Sequence, residues 1–312
     1  MGPTLAIAFG AGLASALLFA TLASGSPLAL VLFYFAALPV LIAGLGWGHY
    51  AGAFAAAIGA LALSLTIRSQ LGVFFFCSVG LPAWILSFVA LSARLPAADD
   101  ETQEPRWADA GLILSLIATG AVLLTLVGIA VLYGFDFAAY QATLRTAVER
   151  TLQQVPIRAG DRETLVALMT AAVPIAAAVI WILVTTINLY AAGRIVKASG
   201  RLVRPWPDLS ALRLPKWMAG ALLAGSVGSF MGGFPGHLSA IVLAASLTAF
   251  SLQGYALAHD LTRGWSMRGF ALGLLYALTL IISWLMVFVA MAGLADTLFN
   301  LRARRPEPPQ QS

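Results

Sequence analysis

The stretch from Gly193 to Trp217, GRIVKASGRLVRPWPDLSALRLPKW, decides the fold class because it sets a cluster of positive charge between two long apolar runs. It holds six of the eighteen lysines and arginines of the chain. The runs on either side are too long and too poor in charge for the core of a water-soluble domain. A lipid bilayer is the solvent that suits them, and the basic stretch then predicts a cytoplasmic loop.

The composition of the whole chain indicates the same class. Of its 312 residues, 60% are hydrophobic and 10% are charged, whereas a soluble domain has roughly a quarter charged. The basic residues that give the net charge of +5 stand at the ends of apolar runs. They therefore favour membrane orientation, and no nucleic-acid partner is predicted. The single cysteine, Cys77, excludes an intrachain disulfide and a cysteine metal cluster.

Runs of roughly 20 apolar residues predict helices that cross the bilayer, because a helix rises about 1.5 Å per residue. The fold class predicted is all-α, a polytopic transmembrane helix bundle with about nine spans. The third and seventh runs are the weakest, and the count becomes eight if one of them is re-entrant. The nine runs are Thr4–Ala23, Leu28–Gly46, Ala51–Ile67, Val73–Ser92, Ala110–Gly134, Leu165–Leu189, Trp217–Phe234, Leu238–Ala258 and Phe270–Gly293.

The chain divides at its charged, proline-bearing linker. Apolar residues at a 3.6-residue period also predict an amphipathic helix on the membrane surface before Pro156. The segments predicted are spans 1–4 in residues 1–96, the linker 97–108, spans 5–9 in residues 109–296 with the amphipathic helix 137–155 and the basic loop 193–217, and a disordered tail 297–312.

The positive-inside rule places the basic loop and the N-terminus in the cytoplasm. Three predicted spans separate this loop from the tail, so the same choice puts Arg302, Arg304 and Arg305 outside. Those arginines oppose the rule, and this is the weak point of the predicted topology.

Catalytic motifs are absent from the sequence. It contains no GxxxxGK[ST] loop, no HExxH and no histidine pair at metal-ligand spacing. No charged residue lies in the middle of a predicted span, which disfavours ion coupling through an intramembrane carboxylate. We expect a protein that is not an enzyme, with no cofactor and no metal site.

Polar residues near the ends of the later spans are the candidates for binding a ligand. If these ends converge, they form a small polar pocket with little charge. The alternative is that Asn188 and Gln253 bond to neighbouring helices while the others lie in the headgroup layer. The candidates are Asn188, Tyr190, Gln253, Tyr255, His259 and Asp260.

Basic residues and tryptophans of the central loop are candidates for contact with lipids or with a protein partner. Each basic residue near an anionic membrane surface contributes about 1 kcal/mol of attraction. These candidates are Arg194, Lys197, Arg201, Arg204, Trp206, Arg213, Lys216 and Trp217.

Three short stretches give the chain a family likeness: NLYAAGR at Asn188–Arg194, LRLPKW at Leu212–Trp217, and GLADTLFNLR at Gly293–Arg302. With them the chain resembles the YybS-like family of bacterial polytopic membrane proteins, and the resemblance implies a multi-pass protein of a bacterial cytoplasmic (inner) membrane. That family is distantly similar to the membrane-embedded substrate-binding subunits of energy-coupling-factor vitamin transporters. The resemblance implies a binding role beside a separate energising partner, although this chain has more spans than such subunits.

Two functions follow from these observations. The first is binding or helping to transport a small, largely uncharged solute, with an energising protein partner. The second is a membrane scaffold or interaction protein that engages lipids or a protein partner through the basic loop.

Overall fold

The computed structural model describes residues 2–94, 105–134, 136–153, 155–156 and 158–304. The described residues are almost entirely helical, and the two strands β1 (Ala93–Arg94) and β2 (Arg106–Trp107) form one short antiparallel pair. The helices are α1 (Gly2–Ala20), α2 (Pro27–Tyr34), α3 (Leu38–Trp47), α4 (His49–Thr66), α5 (Ser69–Phe75), α6 (Leu81–Leu91), α7 (Ala110–Tyr133), α8 (Phe137–Leu152), α9 (Ala159–Ala198), α10 (Trp217–Gly228), α11 (Gly233–Leu261), α12 (Arg268–Ile281) and α13 (Leu285–Phe299).

Within the described ranges, seven helical segments are long and apolar enough to cross a membrane. They correspond to the first six predicted spans and to the eighth, so the all-α polytopic fold class is confirmed. The predicted second and fourth spans are each interrupted without being lost. A turn separates α2 from α3, and a π-helical turn at Phe76–Gly80 joins α5 to α6.

The chain folds into two compact units. Unit 1 comprises Met1–Asp109 and Leu183–Pro207, and unit 2 comprises Ala110–Ile182 and Asp208–Ser312. The long helix α9 contributes its first part to unit 2 and its last part to unit 1.

Unit 1 is built on α1–α6 and has an aromatic core. Phe75 is fully buried, and its ring meets that of Phe19 edge-on at 5.3 Å. Phe33 also packs against Phe19, with ring centroids 5.3 Å apart. Such aromatic pairs add about 0.5–1.5 kcal/mol beyond the area they bury.

Unit 2 is organised around α11, which packs against α7, α10 and α13. Two glycines allow α11 and α13 to approach closely. A Cβ atom at Gly293 would stand 2.9 Å from the Gly254 nitrogen, and a Cβ atom at Gly254 would collide with the Val289 carbonyl. Only the missing side chains permit this close approach of the two backbones.

The helix α12 runs antiparallel to α11. The Tyr255 hydroxyl of α11 donates to Thr279 Oγ1, whereas His259, one turn further along α11, bonds to the earlier residue Tyr276. Residue numbers therefore rise along α11 as they fall along the α12 residues beside it.

The helix α13 runs parallel to α11. Ser251 Oγ donates to the Met286 carbonyl at 3.2 Å, and Gln253 Nε2 donates to the later Gly293 carbonyl at 2.8 Å. Together, α12 and α13 thus form a helical hairpin whose tip is the segment Ile282–Trp284. The prediction that Phe270–Gly293 is one crossing helix is wrong, because the chain turns back at this tip.

The tip of the hairpin lies near the level of Ser251, which follows Gly233 by eighteen residues and precedes Leu261 by ten. At about 1.5 Å per residue, α11 extends roughly 27 Å beyond the tip on one side and 15 Å on the other. The 14 residues of α12 and the 15 of α13 reach only about 21–23 Å. Each is therefore shorter than the bilayer core of about 30 Å, and lengths of this kind are typical of a re-entrant hairpin.

Two further boundaries differ from the prediction. The seventh run, Trp217–Phe234, contains a helix of only 12 residues, because α10 ends at Gly228. The helix α9 continues to Ala198, nine residues beyond the predicted end of the sixth span at Leu189. Arg194 and Lys197, predicted to lie in a loop, are therefore on its last turns.

The segment predicted as an amphipathic helix forms α8. Its first residue is preceded by Asp136, whose side chain accepts a hydrogen bond from the Ala139 amide at 3.0 Å and so caps the helix. Gln154, residues 97–104 of the linker, and residues 305–312 of the tail lie outside the described residues.

Candidate functional site

A row of aromatic and hydroxyl side chains joins the hairpin to α11. Tyr255 donates to Thr279 Oγ1 at 2.8 Å, and His259 Nε2 lies 2.9 Å from the Tyr276 hydroxyl. The rings of Tyr255 and Tyr276 stack with centroids 4.9 Å apart. Tyr276 remains 44% exposed. We call these four residues the hydroxyl–imidazole row. Tyr276 and Thr279 were missed from the sequence because they lie inside an apolar run.

Gln253 was predicted either to line a polar pocket or to bond to neighbouring helices, and the structure places it in the interior of unit 2, bonded to its neighbours. Its Oε1 accepts from the Leu214 amide at 2.8 Å, while Nε2 donates to the Gly293 carbonyl at 2.8 Å and to Thr297 Oγ1 at 2.9 Å. Its amide therefore already joins α11, α13 and the loop before α10. Gln253 acts as a bridge between elements.

Asp296 is a buried carboxylate that the sequence analysis left after the last span. It lies inside α13, with its side chain fully buried. Its Oδ2 is 3.1 Å from Arg302 Nε and 3.6 Å from Arg213 Nε. A buried carboxylate is tolerated when it is paired in this way. The spacing of Asp296 and Arg302 within GLADTLFNLR is the only sequence signal for the pair.

Arg302 also binds the backbone of the loop before α10. Its Nη1 donates to the Ser210 carbonyl, and its Nη2 donates to the Leu212 carbonyl at 3.0 Å. Arg302 and the loop Asp208–Leu214 therefore lie on the same side of the membrane. The prediction that the loop is inside and the tail outside is wrong. The α12–α13 hairpin returns the chain to the end of α11 from which it started, so the predicted ninth run no longer separates them.

Asp260 lies beside a second charge cluster at the end of α11. Arg263 contacts Asp260 at 3.4 Å and Asp208 at 2.6 Å. The hydrogen bond from the Ser210 hydroxyl, followed by that from Arg263, lowers the pKa of Asp208 to about 2. The carboxylates of this cluster are thus neutralised by neighbouring groups.

Asn188 and Tyr190, the other two ligand candidates, belong to unit 1. Asn188 is 1% exposed, and its Nδ2 donates to the Tyr34 and Val184 carbonyls, both at 2.8 Å. Tyr190 is half-exposed, and its ring meets that of Trp206 edge-on at 5.6 Å.

The basic residues at the end of α9 surround two tryptophans. Arg194 and Lys197 lie 5.7 and 5.4 Å from the centroid of the Trp206 ring. Arg201 lies 4.6 Å from the centroid of the Trp47 ring. All three cations are exposed. We call these five residues the cationic–aromatic patch. Trp47 was not predicted to belong to it, because it is distant in sequence.

The other residues predicted to contact lipid have different environments. Arg204 is partly buried and donates to the Ala90 carbonyl at 3.0 Å and the Ala108 carbonyl at 3.1 Å. Burial lowers the pKa of Arg204, and the charge of Asp109 opposes that effect. Arg213 is paired with Asp296, while Lys216 and Trp217 stand at the start of α10 in unit 2.

The long apolar helices and the re-entrant hairpin define the class: a multi-spanning α-helical membrane protein. A family model described as "Predicted membrane protein (DUF2232)" matches residues 12–297. The chain belongs to this family, since the match covers most of its length. Comparisons with curated proteins and with solved structures gave no match.

Proposed function

We propose that this protein binds, or helps to move, a small and largely uncharged solute across a bacterial cytoplasmic membrane. The observation that carries the proposal is the re-entrant hairpin of α12 and α13, attached to α11 by the hydroxyl–imidazole row. This row is the proposed binding site.

The hairpin supports the proposal because its tip interrupts helical hydrogen bonding within the membrane. Among the described residues, the amides of Ser283 and Trp284 donate no backbone hydrogen bond. Non-helical backbone at this depth is tolerated where it is buried in protein or lines a water-filled cavity. Discontinuous helices of this kind form the binding sites of many transporters.

The pairing of charges favours a solute with little charge of its own. Near the hairpin, Asp296 is paired with Arg302, and Arg263 with Asp208. The groups of the row are phenols, a hydroxyl and an imidazole, which exchange hydrogen bonds with neutral polar ligands.

The resemblance to the YybS-like family, and its distant similarity to substrate-binding subunits of energy-coupling-factor transporters, supports a non-enzymatic role of this kind. In that arrangement a separate protein partner supplies the energy, and neither a cofactor nor nucleic acid takes part.

Purified protein tested against a panel of vitamins and lipids, by thermal shift and by native mass spectrometry, would test the proposal. We expect a ligand that binds more tightly than millimolar. Replacements Tyr255→Phe and Tyr276→Phe keep the rings and remove the hydroxyls, and each should weaken binding roughly 2- to 10-fold.

The matched control is Tyr50→Phe, which removes an exposed hydroxyl from unit 1. Its binding should equal that of the wild type. A panel without any ligand better than millimolar, or equal losses in all three variants, would contradict the proposed function.

The cationic–aromatic patch favours a second candidate function. We propose that the protein also serves as a membrane scaffold, holding lipids or an acidic protein partner at this patch. Three exposed cations oriented by two aromatic rings support the idea.

A further inference from the structure

The cationic–aromatic patch is oriented before any ligand arrives. The cations of Arg194, Lys197 and Arg201 stand 4.6–5.7 Å from the ring centroids of the two tryptophans. A cation within about 6 Å of an aromatic ring is attracted by its negative face. Each of the three long side chains is therefore held beside a tryptophan ring, and binding an anion costs less side-chain entropy.

The charge of the patch is not neutralised by acids. Among the described residues, no carboxylate forms an ion pair with Arg194, Lys197 or Arg201. The basic residues Arg145, Arg213, Arg263 and Arg302 all have such partners. The C-terminus of α9 supplies a dipole of only about −0.5 charge. A surplus of positive charge remains, and it favours an anion.

The place of the patch indicates which anion this is. It stands at the end of α9, one of the helices long enough to cross the bilayer. Tryptophan side chains prefer the headgroup level, and basic residues collect at the anionic leaflet. The anion most available at this depth is the phosphate of a lipid headgroup.

We infer that the cationic–aromatic patch is a binding site for anionic phospholipid headgroups, with Arg194, Lys197 and Arg201 contacting the phosphate. The inference rests on the second candidate function and specifies its ligand. Arg204 is excluded from the contact, because its guanidinium is already bonded to two backbone carbonyls.

Native mass spectrometry of the full chain with phosphatidylglycerol or phosphatidylcholine tests this inference. The wild type should retain phosphatidylglycerol preferentially. The triple variant Arg194→Gln, Lys197→Gln and Arg201→Gln should lose that preference by on the order of 100-fold, since each cation contributes roughly fivefold.

The matched control removes the same charge elsewhere through Arg68→Gln, Arg150→Gln and Arg158→Gln, all exposed positions. It should retain the wild-type preference. The variant Arg194→Lys and Arg201→Lys keeps the charge and should remain within about threefold of the wild type, which would show that charge at these positions retains the lipid.

Inorganic phosphate forms a separate arm of the experiment. Stabilisation by free phosphate equal to that by phosphatidylglycerol would overturn the lipid assignment, as would equal retention of the two lipids by the wild type. An equal loss in both triple variants would overturn it as well. Crosslinking to an acidic protein partner separates the two ideas. If the wild type shows no lipid preference but captures such a partner, and the patch variant does not capture it, the scaffold function stands and the lipid inference fails.

Discussion

At the scale of single residues, Asp296 holds the end of α13 to the loop before α10. Its carboxylate is buried between Arg302 and Arg213. Replacing Asp296 with Asn leaves two guanidinium groups without their counter-charge. We expect a loss of about 3 kcal/mol in the free energy of unfolding, because removing one partner of a buried ion pair leaves the other charge buried without a counter-charge. Thermal or denaturant unfolding in detergent would measure it.

A double variant distinguishes the lost pair from a simple packing defect. Asp296→Asn combined with Arg302→Gln removes both charges and should be more stable than Asp296→Asn alone. The control is Asp161→Asn at an exposed position, and it should leave the free energy of unfolding unchanged. Unchanged stability in Asp296→Asn would show that the pair contributes little.

Arg204 illustrates the difference between a structural and a ligand-binding arginine in one basic stretch. Its guanidinium satisfies the Ala90 and Ala108 carbonyls. Replacing it with Gln should lower the free energy of unfolding by about 1 kcal/mol, because two partly buried carbonyl acceptors lose their donor. Retention of phosphatidylglycerol by the folded fraction should not change. An Arg204→Gln protein that unfolds normally but loses the lipid would refute this assignment.

At the scale of elements, the α12–α13 hairpin predicts that water reaches its tip at Ile282–Trp284. A water-filled path to its tip would make Ser283→Cys react with a membrane-impermeant maleimide, in a Cys77→Ser background. Cysteine reacts as the thiolate, which forms in water and hardly at all in lipid. We expect labelling at least roughly tenfold faster than for Leu223→Cys on α10, where the side chain is 66% exposed on an apolar helix.

The buried position Ser15→Cys sets the lower limit of the labelling assay, because Ser15 is fully buried in unit 1. Equal labelling at Ser283 and Leu223 would argue that the tip is covered by protein or by lipid.

At the scale of the whole molecule, the hydrogen bonds of Arg302 with Ser210 and Leu212 place Arg302 in the same compartment as the loop. Reporter fusions after Ser210 and after Ser312 should therefore give the same signal, which the positive-inside rule predicts to be cytoplasmic. A fusion at Gly160, at the other end of α9, should report the opposite side. Opposite signals at Ser210 and Ser312 would contradict the hairpin.

This arrangement also relieves the charge conflict in the predicted topology. Arg302 joins the basic loop on one side of the membrane, so it no longer opposes the positive-inside rule. The conflict arose because Phe270–Gly293 was counted as a full crossing.

The binding candidates could be predicted only in part. Tyr255 and His259 were found because polar residues near span ends stand out in an apolar chain, and α11 does place them one turn apart. Their partners Tyr276 and Thr279 carry no such signal, since isolated hydroxyls are common in membrane helices. Gln253 was selected by the same rule as Tyr255, yet it turns toward α13 and the interior. Helix orientation separates the two, and orientation follows from packing.

The sequence by itself determined that this protein is an all-α membrane bundle. In a bilayer every backbone amide and carbonyl must be satisfied within the protein, so long apolar runs with few charges form helices whatever their neighbours are. The seven long helices of the described ranges follow from local composition alone. The concentration of basic residues between Gly193 and Trp217 is likewise visible without a structure.

Only the tertiary structure decided where the chain turns back and which charges are paired. The run Phe270–Gly293 has the same apolar composition whether it crosses the membrane or forms a hairpin. The close approach of Gly254 and Gly293 holds α13 parallel to α11 and so fixes the turn at Ile282–Trp284. That turn returns Asp296 and Arg302 to the loop they bind. Packing between distant segments determines the turn and the charge pairs. The spacing of residues along one helix does not predict that packing.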